Sequence, residues 1–415
     1  MSLAGRRVVV TGIGIISNIG VGRDAFAAAL RAGASKVAPI RSFDTTGYPY
    51  AHAAEIHDLG GTAEAYAALS KTRGRSSCLA ILAAREAIAD AGLDAVALAA
   101  ADAGVILGTT DGESQLFDSV IRRWHHDGAQ SIEAEDWQNA YPHRICSAVS
   151  DDLALTGESM MIGTACAAGN YAIGHAADII AGSEADVMLC GGVDSVCRKN
   201  YSGFFRIGAI TPDVCRPFDA GRRGILTGEG AAILVLESLD HASARGAPIY
   251  AEVLGYATNC DAKHAIAPDR DSIARCIRSA HRRAGVRPCE VDYISAHGTG
   301  TVTNDSVESG AMQDVFGSEL PPVSSIKSMT GHSMGAASAM GAVACLLGMR
   351  EGFLPPTVNF ESADAQCQVD CVPNLARDAE IVIAENHGFA FGGNNAILVL
   401  RNWALESLSP QADAA

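Results

Sequence analysis

Aromatic and charged residues are both scarce in this 415-residue chain, at 6% and 19%, whereas glycine occupies 43 positions. Small side chains rather than large rings must therefore bring its elements together, and a composition that is 48% hydrophobic excludes disorder except at the ends. Cationic excess is missing too. The 31 Lys and Arg against 47 Asp and Glu leave a formal charge of −16, which argues against a nucleic-acid groove or an anionic membrane surface as the main partner. No stretch reaches the roughly 18 uninterrupted apolar residues of a membrane-spanning helix. The apolar start at Val8, Val9 and Val10 is cut by Gly12 and Gly14, and no small-x-small cleavage pattern follows, so a secretory leader is not expected. Regular cysteine spacing is absent as well. Twelve cysteines scattered over a long chain fit buried thiols in a reducing, cytoplasmic setting and not a disulfide framework.

What is present is alternation. Short β-branched runs (7–10, 105–107) take turns with Ala-rich helical stretches (24–31, 78–91), which predicts an α/β fold with a buried, largely parallel sheet. Chemistry in such folds collects at strand ends. The length exceeds what one simple core supports, and one internal echo fits a double unit. The run Gly230, Ala231, Ala232, Ile233, Leu234, Val235, Leu236 returns as Asn394, Asn395, Ala396, Ile397, Leu398, Val399, Leu400, an offset of 394 − 230 = 164. The same offset carries Cys166 to Thr330, inside another glycine-rich turn. Two copies of one α/β unit joined near 240–260, or two unrelated buried strands sharing Ile, Leu and Val, both explain the echo. The polar segment 111–139, with Trp124, His125, His126 and Trp137, reads as an insertion or a dimer flap.

The sharpest local feature is Gly163-Thr164-Ala165-Cys166-Ala167-Ala168-Gly169, ahead of a helical stretch over 171–181. A thiol where a strand turns into a helix meets unpaired N–H groups and the positive dipole end, which favour the thiolate and make Cys166 a nucleophile candidate. Taken alone, it could equally be inert packing. Two histidines join it: His297 in His297-Gly298-Thr299-Gly300-Thr301, and His332 in Lys327-Ser328-Met329-Thr330-Gly331-His332, each in a glycine-rich loop after a short β run. Zinc is the rival use of these side chains, and positions 166, 297 and 332 lack any short paired-ligand spacing, as do Cys367 with Cys371 and His125, His126 with His143. Gly12-Ile13-Gly14 hints at a dinucleotide loop but lacks the third glycine. No metal and no cofactor is expected. Finally, His387-Gly388-Phe389-Ala390-Phe391-Gly392-Gly393 puts two aromatics in a glycine-flanked loop, which suits either a tight turn or an apolar gate.

Together, Thr164-Ala165-Cys166, the His297 to Thr301 run, Lys327 with Gly331-His332, and Phe391-Gly392-Gly393 resemble the elongating β-ketoacyl-[acyl-carrier-protein] synthases, and the likeness runs over nearly the whole chain. That resemblance implies the thiolase fold, five αβαβα layers in two pseudo-duplicated halves: 1–250 carrying the nucleophile, 251–405 carrying both histidines, and a frayed tail, 406–415. It implies decarboxylative Claisen condensation, in which Cys166 takes an acyl group from a carrier protein and then gives it to the carbanion of malonyl-carrier protein. His297 and His332 would promote decarboxylation, with Lys327 and Glu308 ordering the His332 side. The N–H groups of Cys166 and Phe391 would form the oxyanion hole, Phe391 would be the gate, and Thr299 and Thr301 would hold the pantetheine arm. Lys71, Arg73 and Arg75 would form the local basic patch that an acidic carrier needs.

Three departures bear on pathway. Arg222-Arg223-Gly224-Ile225 stands where the family commonly has Arg-Asp-Gly-Phe, Asp111 stands at an acyl-pocket position that fatty-acid enzymes keep apolar, and Ala390 replaces a gate glycine. A carboxylate at 111 must be paired or wet. These shifts point to a type II polyketide or polyene pathway, with the chain as a homodimer or paired with a chain-length-factor paralogue. The competing readings are a housekeeping fatty-acid synthase component, a thiolase, and a non-catalytic chain-length factor.

Overall fold

The computed structural model describes residues 5–406, so positions 407–415 of the expected tail lie outside it; Glu406 ends a short helix, Trp403–Glu406. Ten strands form the main sheet: β1 (Val8–Ser17), β2 (Gly104–Gly108), β3 (Ser159–Ile162), β4 (Val187–Asp194), β5 (Gly230–Ser238), β6 (Ala251–Cys260), β7 (Tyr293–Ser295), β8 (Val323–Ser324), β9 (Ile383–Phe389) and β10 (Asn394–Asn402). The helices that cover it are α1 (Arg75–Ala91), α2 (Arg144–Leu153), α3 (Ala168–Ala181), α4 (Arg198–Arg206), α5 (Arg270–Ala284), α6 (Val302–Phe316) and α7 (Ala337–Glu351). The strand order is β8-β7-β9-β10-β6-β1-β5-β4-β2-β3. It is a palindrome of roles: β1-β5-β4-β2-β3 on one side repeats as β6-β10-β9-β7-β8 on the other. Only two residue pairs, Val9 with Glu252 and Val10 with Ala251, join β1 to β6 at the centre.

The expected largely parallel sheet is corrected to a mixed one. Only β2 with β3 and β4, and β7 with β8 and β9, run parallel; the five remaining pairings are antiparallel. The continuous apolar runs that signalled a parallel sheet arise because both faces are covered, which hides the period-2 alternation whatever the strand direction. In β5, Ala232, Leu234 and Leu236 point into a core shared with α3 and α7, while Ala231, Ile233 and Val235 face α1 and α2. In β10, Leu398 and Leu400 enter the same central core, while Ile397 and Val399 face α5 and α6. The result is five layers, with α3 and α7 in the middle. Each fully buried aliphatic side chain contributes roughly 1.5–3 kcal/mol to holding them.

Glycine sets the tightest approaches. Gly12 and Gly14 lie inside β1, and a Cβ on Gly14 would sit 1.8 Å from the Ala83 carbonyl oxygen of α1. The hinted dinucleotide loop is therefore a strand, glycine-bearing because a helix backbone rests on it. Segment 111–139 folds as two helices, Ser114–Asp127 and Ala134–Asn139, and Asn139 reaches back to the Thr72 carbonyl at 3.0 Å.

Candidate active site

The duplicated topology places the site. In the second half, β7, β8 and β9 run parallel, so their C-terminal ends bring His297, then Lys327 and His332, then Phe391 to one edge. In the first half, β3 leads through Gly163 and Thr164 to a turn, Ala165–Ala167, and into α3. Ala165 is in the left-handed region at φ 49°, and its partner in the second half is Met334 at φ 52°, ahead of the turn Met334–Ala336 and α7. This offset is 334 − 165 = 169, whereas the strands repeat at 164. Projecting Cys166 onto Thr330 therefore falls five residues short, and the structural counterpart is Gly335. A Cβ there would lie 2.5 Å from the Thr109 Cα, so the second copy has no room for a nucleophile.

Cys166 is buried, and burial pushes its thiol up to about 12; Lys327 acts against that rise, while Asp194 and Asp111 add to it. The thiolate expected from the helix terminus is thus not the resting form, because loss of water outweighs the favourable charges. Asp194, also raised by burial and then by Asp111, accepts from Thr109 Oγ1 at 2.6 Å and from the N–H groups of Thr110, Asp111 and Gly335 at 2.7, 2.9 and 2.6 Å. It ties the 109–111 loop to the Met334–Ala336 turn.

The imidazoles of His297 and His332 are both buried, with ring centroids 5.4 Å apart and planes at 81°. Burial, then the charge of Lys327, holds both well below the usual histidine range, so each is neutral near pH 7. The Met334 N–H donates to His332 Nδ1 at 3.1 Å, which leaves Nε2 as the nitrogen that carries the proton. Glu308 on α6 anchors the other histidine: its carboxylate accepts the His297 N–H at 2.7 Å and the Gly298 N–H at 2.8 Å. One turn earlier, Asp305 accepts from Thr299 N–H at 3.0 Å and Phe218 N–H at 2.9 Å, and burial lifts it to about 6. Burial lowers Lys327, with Glu308 and Cys166 opposing.

Cys166, His297 and His332 line one cavity of about 310 Å³ with Thr299, Thr301, Ile225, Phe389 and Phe391. Thr299 and Thr301 share a hydrogen bond of 2.9 Å between their hydroxyls, and Thr301 also caps α6. Phe391 is 39% exposed and rests on Phe204 at 5.3 Å, in the hairpin between β9 and β10. Exposed Ile207, Ile266 and Val302 complete an apolar rim that the sequence reading misses, because the first two sit in loops without periodicity.

Other expected residues lie apart. Asp111 does not line this cavity; it is buried and held by Lys199 at 2.8 Å and Asn200 at 2.6 Å, which supplies the pairing a carboxylate there requires. Arg75 does not belong to a docking patch: its guanidinium is taken by buried Glu229 at 2.5 and 3.0 Å and by Tyr66 at 2.9 Å. Lys71 is exposed and Arg73 half-buried. Arg222 is buried between Asp364 at 2.5 Å and Asp305 at 3.8 Å, whereas Arg223 reaches the cavity and pairs with Asp213 at 2.6 Å. Asp305 and Asn304 escape the sequence reading although they stand at helical spacing from Glu308, i−3 and i−4, the signal that would have found them.

The chain resembles known proteins over nearly its whole length. Residues 5–242 match the family model "Beta-ketoacyl synthase, N-terminal domain" and residues 250–361 match "Beta-ketoacyl synthase, C-terminal domain". A "3-oxoacyl-[acyl-carrier-protein] synthase 2" from Coxiella burnetii is 37% identical over 95% of this chain and 98% of its own. The solved ishigamide ketosynthase/chain length factor is 47% identical, with a TM-score of 0.93 over 96% of this chain and 100% of that one. A type II PKS ketosynthase, solved in complex with its acyl-carrier protein and bound to the hexaketide, is 31% identical, with a TM-score of 0.89 over 96% and 99%.

Proposed function

This chain belongs to the β-ketoacyl synthase family and has its thiolase fold, and from that premise we propose how its residues divide the work of a ketosynthase. The reaction joins an acyl chain to the two-carbon unit left when malonyl-carrier protein loses carbon dioxide. The meeting of Cys166, His297 and His332 on one cavity wall carries the assignment. Cys166 Sγ attacks the carrier thioester; the bond to pantetheine breaks, and pantetheine leaves as a thiol with the proton that Cys166 gives up. The malonyl C–C bond then breaks, carbon dioxide departs, and the electron pair enters an enolate whose oxygen is held by the neutral imidazoles. His332 donates to it from Nε2, in a dry pocket where such a bond counts most. The enolate carbon attacks the Cys166 thioester, the N–H groups of Cys166 and Phe391 hold the oxyanion, and collapse expels Cys166 as a thiolate, which takes a proton from solvent to restore the thiol. Burial holds the resting thiol up at about 12, and the positive charge of Lys327 acts against that rise, so it eases passage of the proton to the leaving pantetheine sulfur.

Lys327 and Glu308 position the histidines, Thr299 and Thr301 hold the pantetheine arm, Phe391 gates the cavity, and Ile225 leaves it wider than a large aromatic would. The acidic carrier docks on Lys71 and Arg73. The two halves divide near residue 250. The pathway is type II polyketide or polyene synthesis, with a chain-length-factor paralogue as partner; the 47% identity to the ishigamide ketosynthase/chain length factor supports this over the fatty-acid reading. Co-purification from a co-expressing host with a similar protein that lacks the cysteine tests the pathway; recovery of a fully active homodimer alone would favour the fatty-acid role.

A further inference from the structure

His387 takes no part in the steps above, yet it is completely buried beside them. It lies on β9 between Glu385 and Phe389, and its Nε2 is 3.0 Å from Glu385 Oε2 while its Nδ1 stands 3.5 Å from Glu308 Oε1, an ion-pair distance. Glu385 in turn bonds His281 Nε2 on α5, and Glu308 holds the His297 and Gly298 backbone. The charged groups that face His387 are therefore Glu385 on its own strand and Glu308 on α6, with His281 on α5 beyond Glu385. Lys327 lies beyond Glu308, and His297 lies across the Phe389 ring, which stands 5.5 Å from His387 and 5.7 Å from His297.

A neutral imidazole has one N–H and one lone pair. Between two buried carboxylates it could satisfy only one and would turn its lone pair on the other, whereas an imidazolium serves both. Two buried carboxylates also need compensating charge. We propose that His387 is a positioning residue, an imidazolium clamped between Glu308 and Glu385 that fixes the carboxylate anchoring the His297 loop and so holds the His297 ring on the enolate oxygen. Direction agrees: burial would lower His387, but the two carboxylates outweigh it and lift the ring to about 8, and its charge helps to keep His297 neutral. The inference rests on the assignment of His297 to decarboxylation.

The test uses the full-length protein and reads two half-reactions between pH 6 and 9: carbon dioxide release from malonyl-carrier protein, and acylation of Cys166 by mass. In the unaltered protein, release should fall above about pH 8 while acylation does not. His387→Gln should lower release roughly 10-fold or more at pH 7, abolish the alkaline limb and spare acylation. Glu385→Gln, which keeps the imidazole in place and carries the test should the first variant not fold, should move the limb to lower pH with activity retained at pH 6.5. An alkaline limb unchanged in these variants, or equal loss of both half-reactions, overturns the inference. His297→Ala separates it from its parent: if release persists there, the parent assignment falls and this inference with it. If release is lost there but His387→Gln matches the unaltered protein, the inference alone is overturned.

Discussion

The Nδ1 of His332 accepts a hydrogen bond from the Met334 N–H at 3.1 Å, so protonation of that nitrogen would set two N–H groups against each other. With burial and Lys327 acting in the same direction, His332 keeps its neutral form well into acid. Carbon dioxide release from malonyl-carrier protein should therefore show no acid limb near the ordinary histidine value of about 6.5. A clear loss of release centred there, in a protein still folded by circular dichroism, would contradict the neutral assignment.

Stability should peak in a window. His297 and His332 are depressed in the folded state, so the unfolded chain takes up more protons as pH falls below about 6.5, and stability is lost in that direction. His387 is raised to about 8; its contribution is full below about 6.5 and disappears as pH rises through 8, on the order of 2 kcal/mol. Urea midpoints across pH 5 to 9 check both limbs, and His387→Gln should flatten the upper one.

Lys327 pulls the Cys166 thiol down against burial. Lys327→Met should slow alkylation of Cys166 by iodoacetamide several-fold at pH 8 without unfolding the protein, because the thiolate fraction controls the rate. An unchanged alkylation rate would detach the lysine from the thiol.

Arg75 and Lys71 should behave as opposites. Arg75→Ala leaves the buried Glu229 carboxylate without its guanidinium and should cost about 3–5 kcal/mol of stability, read as a lower melting temperature. Lys71→Glu and Arg73→Glu should leave melting unchanged and raise KM for carrier-bound substrate; unchanged KM would move the docking patch elsewhere.

Legibility in the sequence followed physical locality. Cys166, His297 and His332 stood out because glycines and short β runs mark strand ends, and the strands that carry them, β3, β7 and β8, belong to the parallel parts of the sheet. Direction itself was hidden, since Leu234 and Ile233 are equally buried on opposite faces. The repeat was visible in β5 and β10, but its five-residue slip at the Cys166 turn could be seen only by matching Ala165 to Met334 through their backbone angles. Partnerships between distant residues were unreadable for the same reason. Nothing local distinguishes Arg75, committed to Glu229 across 154 residues, from a free surface cation, and nothing marks His387 as the companion of Glu308.

The most direct test is intact and peptide mass after incubation with acyl-carrier protein bearing a defined acyl chain. The predicted result is one acyl adduct, located on the peptide that contains Cys166 and absent from Cys166→Ala. An adduct retained by Cys166→Ala, or none on the unaltered protein under conditions where it turns over, would contradict the assignment of Cys166 as the nucleophile.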